Sequence, residues 1–193
     1  MADTKPTRSS KTPPAAPQSR AQPPPLEPTD EELRGPLPAS ALAGVVAARL
    51  VIRMGGFVEE HNLGICGTGG SAFRLDKAFD FLHLPTLWFI RATRVPAEGV
   101  LRSIWPGAPD IAVDVLSSGE EASAARARAT EYLDNGGRLV WVIDPERRTA
   151  TVYRLSAAPQ VLQEEDELDG RDVVRGFTVR LRDLFPPEER ART

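Results

Sequence analysis

The chain contains a single cysteine, Cys66, among 193 residues, so no disulfide can form within it. That excludes a disulfide-stapled scaffold and fits a reducing compartment, so a cytoplasmic location is expected. Histidine is nearly as scarce, with only His61 and His83. One cysteine and two histidines exclude a closed zinc site of the usual kind. Neither charge sign is in marked excess. The 24 basic and 27 acidic side chains leave a formal net charge of -3. The whole chain is therefore no electrostatic nucleic-acid binder, although a local basic groove is compatible with that balance. Long apolar runs are missing too. The best one, Ala39 to Phe57, is interrupted by Arg49 and Arg53 and ends in Gly55-Gly56, so no membrane span is expected. The N-terminus lacks the apolar core of a signal peptide.

Large apolar side chains are also missing from residues 1–28. Leu26 is almost the only one after Met1, in a stretch rich in Pro, Ser, Thr, Ala and Gln. Such a segment cannot bury enough surface to offset the entropy of ordering it, so a disordered, Pro-rich tail is expected. Lys5, Arg8, Lys11 and Arg20 make it mildly basic. A weak nucleic-acid tether and a PxxP ligand at Pro14 to Pro17 are the functional readings; a solubilising tail is the simpler one.

One folded domain is expected over residues 29–188. Thr29-Asp30-Glu31-Glu32 has the look of a helix start, with acids near the positive end of the dipole. Ser40 is positioned to cap a longer helix to about Phe57, with Leu42, Val45, Val46, Leu50 and Phe57 toward the core. Gly55-Gly56 should kink or end it. Strands are expected at Ile65-Cys66, Ser71 to Leu75, and Leu87 to Arg91, separated by turn signals. A second helix is expected over Glu120 to Leu133, capped by Ser117 or Ser118 and ended by Asn135-Gly136-Gly137. Leu139 to Ile143 is a nearly continuous apolar run and should be a central strand. Thr149 to Tyr153 should follow it across a turn, and Phe177 to Leu181 should form a late strand. The class is α/β, a mixed β-sheet flanked by helices.

The chemistry concentrates in PDIAVDVLSS, residues 109–118. Side chains alternate across a strand, so Asp110, Ala112 and Asp114 should share one face and Ile111, Val113 and Val115 the other. Acids on an otherwise apolar strand are costly unless solvated, paired or bound to a metal. A hard cation such as Mg2+ takes oxygen ligands, often with only one or two carboxylates. Phosphodiester hydrolysis uses such an ion to activate water and screen developing charge. The plainer alternative is that Asp110 ends the preceding loop and leaves Asp114 alone.

Other motifs carry less. Gly67-Thr68-Gly69-Gly70-Ser71 looks like a phosphate cradle but lacks the downstream Lys-Ser/Thr of a P-loop, so a hairpin turn is expected. A phosphate-ligand protein built on that loop is the weakest functional reading. Trp88, Trp105 and Trp141 lie in apolar runs and should pack in the core rather than stack on bases. Arg126, Arg128 and Arg138 could contact phosphates, although charges on a helix are usually its solvated side. His61 should be a surface histidine.

Three segments together resemble one family. PDIAVDVLSS, the helix ending EYLDNGG, and RLVWVIDPERRTATVYR are similar to the Uma-type restriction endonuclease family of the PD-(D/E)xK nuclease superfamily. SALAGVVAARL, FVEEHNLG and SAFRL look like its opening helix and strand. LDGRDVVRGFTVRLRDLF looks like its closing segment. The resemblance implies a restriction-endonuclease-like α/β core, Mg2+-dependent cleavage of DNA, and plausibly a homodimer, since related enzymes cut both strands as dimers. That family usually carries a Pro-Asp pair on one strand, a Glu in the next, and a Lys on the following helix. Here the Pro-Asp position is Pro85-Thr86, so a hydroxyl stands where a carboxylate is expected. The Glu position is Asp114, one methylene shorter. The superfamily's strand Lys falls at Leu116. The helical Lys corresponds to Arg128, which keeps the charge but cannot release its proton.

The resemblance thus implies Asp114 as principal metal ligand, Asp110 as a second, and Arg128 as a phosphate or transition-state contact. Asp76 and Asp80 are further acids that could compensate for Thr86. Cleavage is expected to be weak or absent, because losing a metal carboxylate removes metal affinity and water positioning together. The alternative is a non-catalytic module that keeps the fold to bind DNA or a protein.

Overall fold

The computed structural model describes residues 33–34, 40–75 and 82–187. The expected tail over 1–28, the helix start at Thr29, and the acids Asp76 and Asp80 lie outside these residues.

The described elements are two helices and twelve strands. β1 (Leu33–Arg34) precedes α1 (Ala41–Glu60), which is followed by β2 (Gly64–Thr68), β3 (Phe73–Arg74), β4 (Leu82–His83), β5 (Leu87–Arg91), β6 (Trp105–Pro106) and β7 (Ile111–Val115). α2 (Ala122–Asp134) leads to β8 (Leu139–Asp144), β9 (Thr149–Tyr153), β10 (Gln160–Leu162), β11 (Glu167–Asp169) and β12 (Thr178–Arg180). The main sheet has the order β10-β9-β8-β7-β5-β2. Only β7 and β8 in it are parallel, and α2 is the crossover between them. A smaller sheet runs β1-β4-β3-β6, and β11 and β12 form a separate hairpin.

α1 begins as expected: the Ser40 hydroxyl accepts the Ala43 N–H at 3.2 Å. It does not stop at Gly55-Gly56 but runs unbroken to Glu60. Met54 and Val58 on either side are fully buried, and their packing holds the helix through the two glycines. The buried stripe is Ala43, Val46, Leu50, Met54 and Val58. Burying each of the larger ones contributes about 1.5–3 kcal/mol. Val45 was expected inward but is exposed, because it lies one step off that stripe.

β7 and β8 have no exposed residue, which fits their near-continuous apolar sequences. Ile111, Val113, Val115, Leu139, Trp141 and Ile143 join the α1 stripe in one core. Ala112, Val140 and Val142 pack on the other face against Ala125, Ala129, Tyr132 and Leu133 of α2. Trp141 stacks on Phe177 inside the first core, and Trp88 and Trp105 belong to a third cluster with Phe73. All three tryptophans are therefore packing residues.

Gly67 to Ser71 is no hairpin. β2 belongs to the main sheet and β3 to the smaller one, so the loop hands the chain from one sheet to the other. Gly67 is required in the strand itself: a Cβ there would lie 2.2 Å from the Trp88 ring. α2 begins at Ala122, so its N-cap position is Glu121, which makes no side-chain capping bond, rather than Ser117 or Ser118. His61 is a surface residue stacked on Phe57.

Candidate active site

The expected alternation on β7 places Asp114 on the face that carries α2, beside Ala112. Its side chain is wholly buried. A carboxylate there needs a partner, and α2 supplies one. Ala125, Ala129 and Tyr132 pack that helix on the sheet, and Arg128 shares their face. Arg128 Nε donates to Asp114 Oδ2 at 2.9 Å. Its Nη2 donates to Glu120, in the loop between β7 and α2. Glu120 is 4 % exposed in its side chain and also accepts the Ser117 N–H at 3.4 Å. One guanidinium therefore bridges two buried carboxylates.

Sequence reasoning took Glu120 only as a helix-start acid. No local signal marks its inward turn, because it lies in the loop before α2, where helical periodicity does not fix its direction.

Thr86 stands where the resemblance puts it. β5 and β7 pair antiparallel with Leu87 against Val113, so the next step sets Thr86 opposite Asp114. Its hydroxyl accepts the Val115 N–H at 3.1 Å, and its own N–H favours the charged form of Asp114. Asp114 Oδ1 itself makes no hydrogen bond of good geometry. The Tyr132 hydroxyl, buried nearby, has none either. Leu116 packs among the apolar residues under α2.

The electrostatics follow from this closure. Burial pushes the Asp114 carboxyl above its ordinary pKa, opposed by Arg128 and reinforced by Glu120. Burial by itself would lower the Arg128 pKa, but Asp114 and Glu120 outweigh it and the guanidinium is held more firmly charged. Burial, then the charge of Asp114, pushes the Tyr132 hydroxyl well above its usual range.

Asp110 does not join this group. It too is wholly buried, but Arg91 Nε lies 2.8 Å from one of its oxygens and Arg94 Nη1 3.0 Å from the other. The Arg91 N–H also donates to it at 3.1 Å. Four residue steps along the chain separate it from Asp114, a span of about 13 Å. The two acids cannot share an ion, and Asp110 ties the β5 end to the entry of β7. Arg138 is paired with Asp172, and Arg126 is exposed.

No group of three or more His, Cys, Asp or Glu side chains among the described residues could hold a metal ion. Mg2+ requires near-octahedral oxygen coordination. At the site, Asp114 Oδ1 is the open carboxylate oxygen, and the Thr86 hydroxyl already accepts a hydrogen bond. Arg128, hydrogen-bonded to that carboxylate, would repel a divalent ion placed beside it. Mg2+ does not fit this arrangement while Arg128 occupies it.

A buried acid on a central strand, answered by a cation on the crossover helix, in a mixed sheet covered on both faces, defines a restriction-endonuclease-like α/β protein. The model of the Uma2 family, described as "Putative restriction endonuclease", matches residues 17–182, and the chain belongs to that family. A crystal structure of a protein from Anabaena variabilis ATCC 29413, described as a putative nuclease belonging to DUF820, has the same fold. It aligns with a TM-score of 0.68 and 19 % identity, over 79 % of this chain and 84 % of that one. No curated protein matches the chain.

Proposed function

We propose that this protein engages DNA through a nuclease fold and that its Mg2+-dependent phosphodiester cleavage is weak or absent. One observation carries the reading: Thr86, with its hydroxyl already hydrogen-bonded to a backbone amide, faces Asp114 where a second carboxylate would complete a metal site. A neutral hydroxyl is a far weaker ligand for a hard cation than a carboxylate. Arg128 supports the same reading, because a guanidinium committed to two acids is not free to meet a phosphate. What the site retains is a fold whose relatives are described as nucleases.

The test is plasmid nicking by purified protein in Mg2+, run beside DNA binding with and without EDTA. The expected result is trace nicking at most, with DNA binding indifferent to the chelator. Robust Mg2+-dependent nicking that disappears in Asp114→Asn would overturn the proposal.

A further inference from the structure

We infer that the open edge of β2 joins a second copy of this chain, extending the main sheet across a twofold axis at Cys66. The inference concerns a surface away from Asp114 and holds whether or not DNA is cut. It begins with the backbone groups that are free. The Ala92 N–H donates to Leu63 O at 2.8 Å, and the Gly69 N–H donates to Thr86 O at 3.0 Å. Bonded pairs alternate along an antiparallel ladder, so Leu63, Ile65, Gly67 and Gly69 turn their backbone groups toward β5. Gly64, Cys66 and Thr68 turn theirs outward. β2 ends the strand order, and among the described residues no backbone group pairs with these three. The Trp88 indole N–H reaches Thr68 O at 3.3 Å.

Folded proteins guard such an edge with charge, proline or a very short strand. The opposite edge, β10, has three residues and follows Pro159. β2 has five, with neither charge nor proline. It also matches itself. An antiparallel copy centred on Cys66 sets Cys66 against Cys66 and Gly64 against Thr68, so every outward backbone group gains a partner.

α1 packs along β2 and supplies the rest of the surface. One of its flanks, with Arg49, Arg53 and Glu60, faces β12 and Phe185, toward the β8–β9 end of the sheet. Ala48, Val51 and Gly55 lie around the helix from that flank, toward β2, and carry no charge. The twofold axis of an antiparallel pair stands perpendicular to the sheet, so it brings this flank beside its copy. A peptide strand would fill the β2 edge and leave the α1 flank bare, whereas a second copy covers both. The strand is about 17 Å long and the helix about 30 Å, so pairing both buries on the order of 1,000 Å2 in total, the low end of specific interfaces and the scale of a micromolar dimer. Two six-stranded sheets then become one. Both Asp114 side chains lie on one face of it, about 24 Å apart across the strands, which is roughly five interstrand spacings.

The experiment is sedimentation equilibrium of the full chain across the micromolar range, with amide hydrogen exchange followed residue by residue. The native chain should dimerise. Its Gly64, Cys66 and Thr68 amides should gain at least about tenfold protection as concentration rises, while Ile65 and Gly67 stay protected throughout. Thr68→Pro removes an outward N–H that the monomer does not use and should weaken the dimer at least about tenfold. Thr68→Lys should act likewise through edge charge, and Ala48→Lys through the α1 flank. Val161→Lys, exposed on the β10 edge, should leave the dimer intact. Melting curves at monomeric dilution separate a lost interface from a lost fold. A native chain that stays monomeric throughout overturns the inference. So does a dimer that ignores both Thr68 variants and shows no concentration-dependent protection at Gly64, Cys66 and Thr68.

Discussion

Tyr132→Phe should stabilise this protein. The substitution deletes one oxygen and leaves ring volume, rotamer and burial unchanged. Tyr132 is wholly buried on the inner face of α2, its ring edge-on to His83 at 5.2 Å. Those ring contacts survive in phenylalanine. The hydroxyl has no hydrogen-bond partner. Burying an unpaired hydroxyl costs about 1–3 kcal/mol by the measure of protein mutations. The native chain bears that cost and the variant does not, so a gain of about 1–2 kcal/mol is expected. In a domain of this size each kcal/mol moves the melting temperature by about 2–4 °C. Urea unfolding followed by tryptophan fluorescence should show a higher midpoint at unchanged slope, because the exposed surface hardly differs. A midpoint that falls by the equivalent of 1 kcal/mol would refute the reasoning. It would mean that the hydroxyl has a partner in solution, such as an ion or water shared with Asp114 Oδ1, and that removing it orphans that partner.

Two further outcomes rest on other parts of the fold. Burial, helped by Glu59, pushes the Cys66 thiol up to about 12. At pH 8 about one molecule in ten thousand would then carry the thiolate, so Ellman's reagent should label the native chain on the order of a thousandfold more slowly than the urea-unfolded chain; rapid native labelling would contradict the burial of β2 against α1. Gly44 is exposed within α1, with open space where a Cβ would stand, so Gly44→Ala should raise stability by about 0.5–1 kcal/mol in the same unfolding assay.

The readable part of the sequence was the part where a period repeats. β7, β8 and β9 could be placed because alternation or continuous apolarity carries their signal, and Asp114 fell on the face that alternation assigns. The helical stripe of α1 was visible in Val46 and Leu50, while Val45 was misassigned because neighbouring apolar residues blur a period of 3.6. The glycine pair misled because local propensity is weaker than the packing of Met54 and Val58. Partnerships between distant charges were illegible. Nothing local indicates that Asp110 is claimed by Arg91 and Arg94 across a strand pairing, or that Glu120 turns inward to Arg128. The short strands β4, β6, β10 and β11 have two or three residues each, too few to show any period.

The burial of Asp114 has a consequence for how the sheet aligns. β7 is apolar at every position but this one, so apolar residues alone would let it slide against β8 with little penalty. A slip of one residue would turn every β7 side chain to the opposite face. The carboxylate would then enter the core formed by Trp141, Phe177 and the α1 stripe, on the opposite face from Arg128. An uncompensated buried charge costs several kcal/mol, a large share of a domain's whole stability. The Asp114–Arg128 pair therefore acts as a key that admits one alignment of the central strands. It would keep that role in a protein that never cut a phosphodiester.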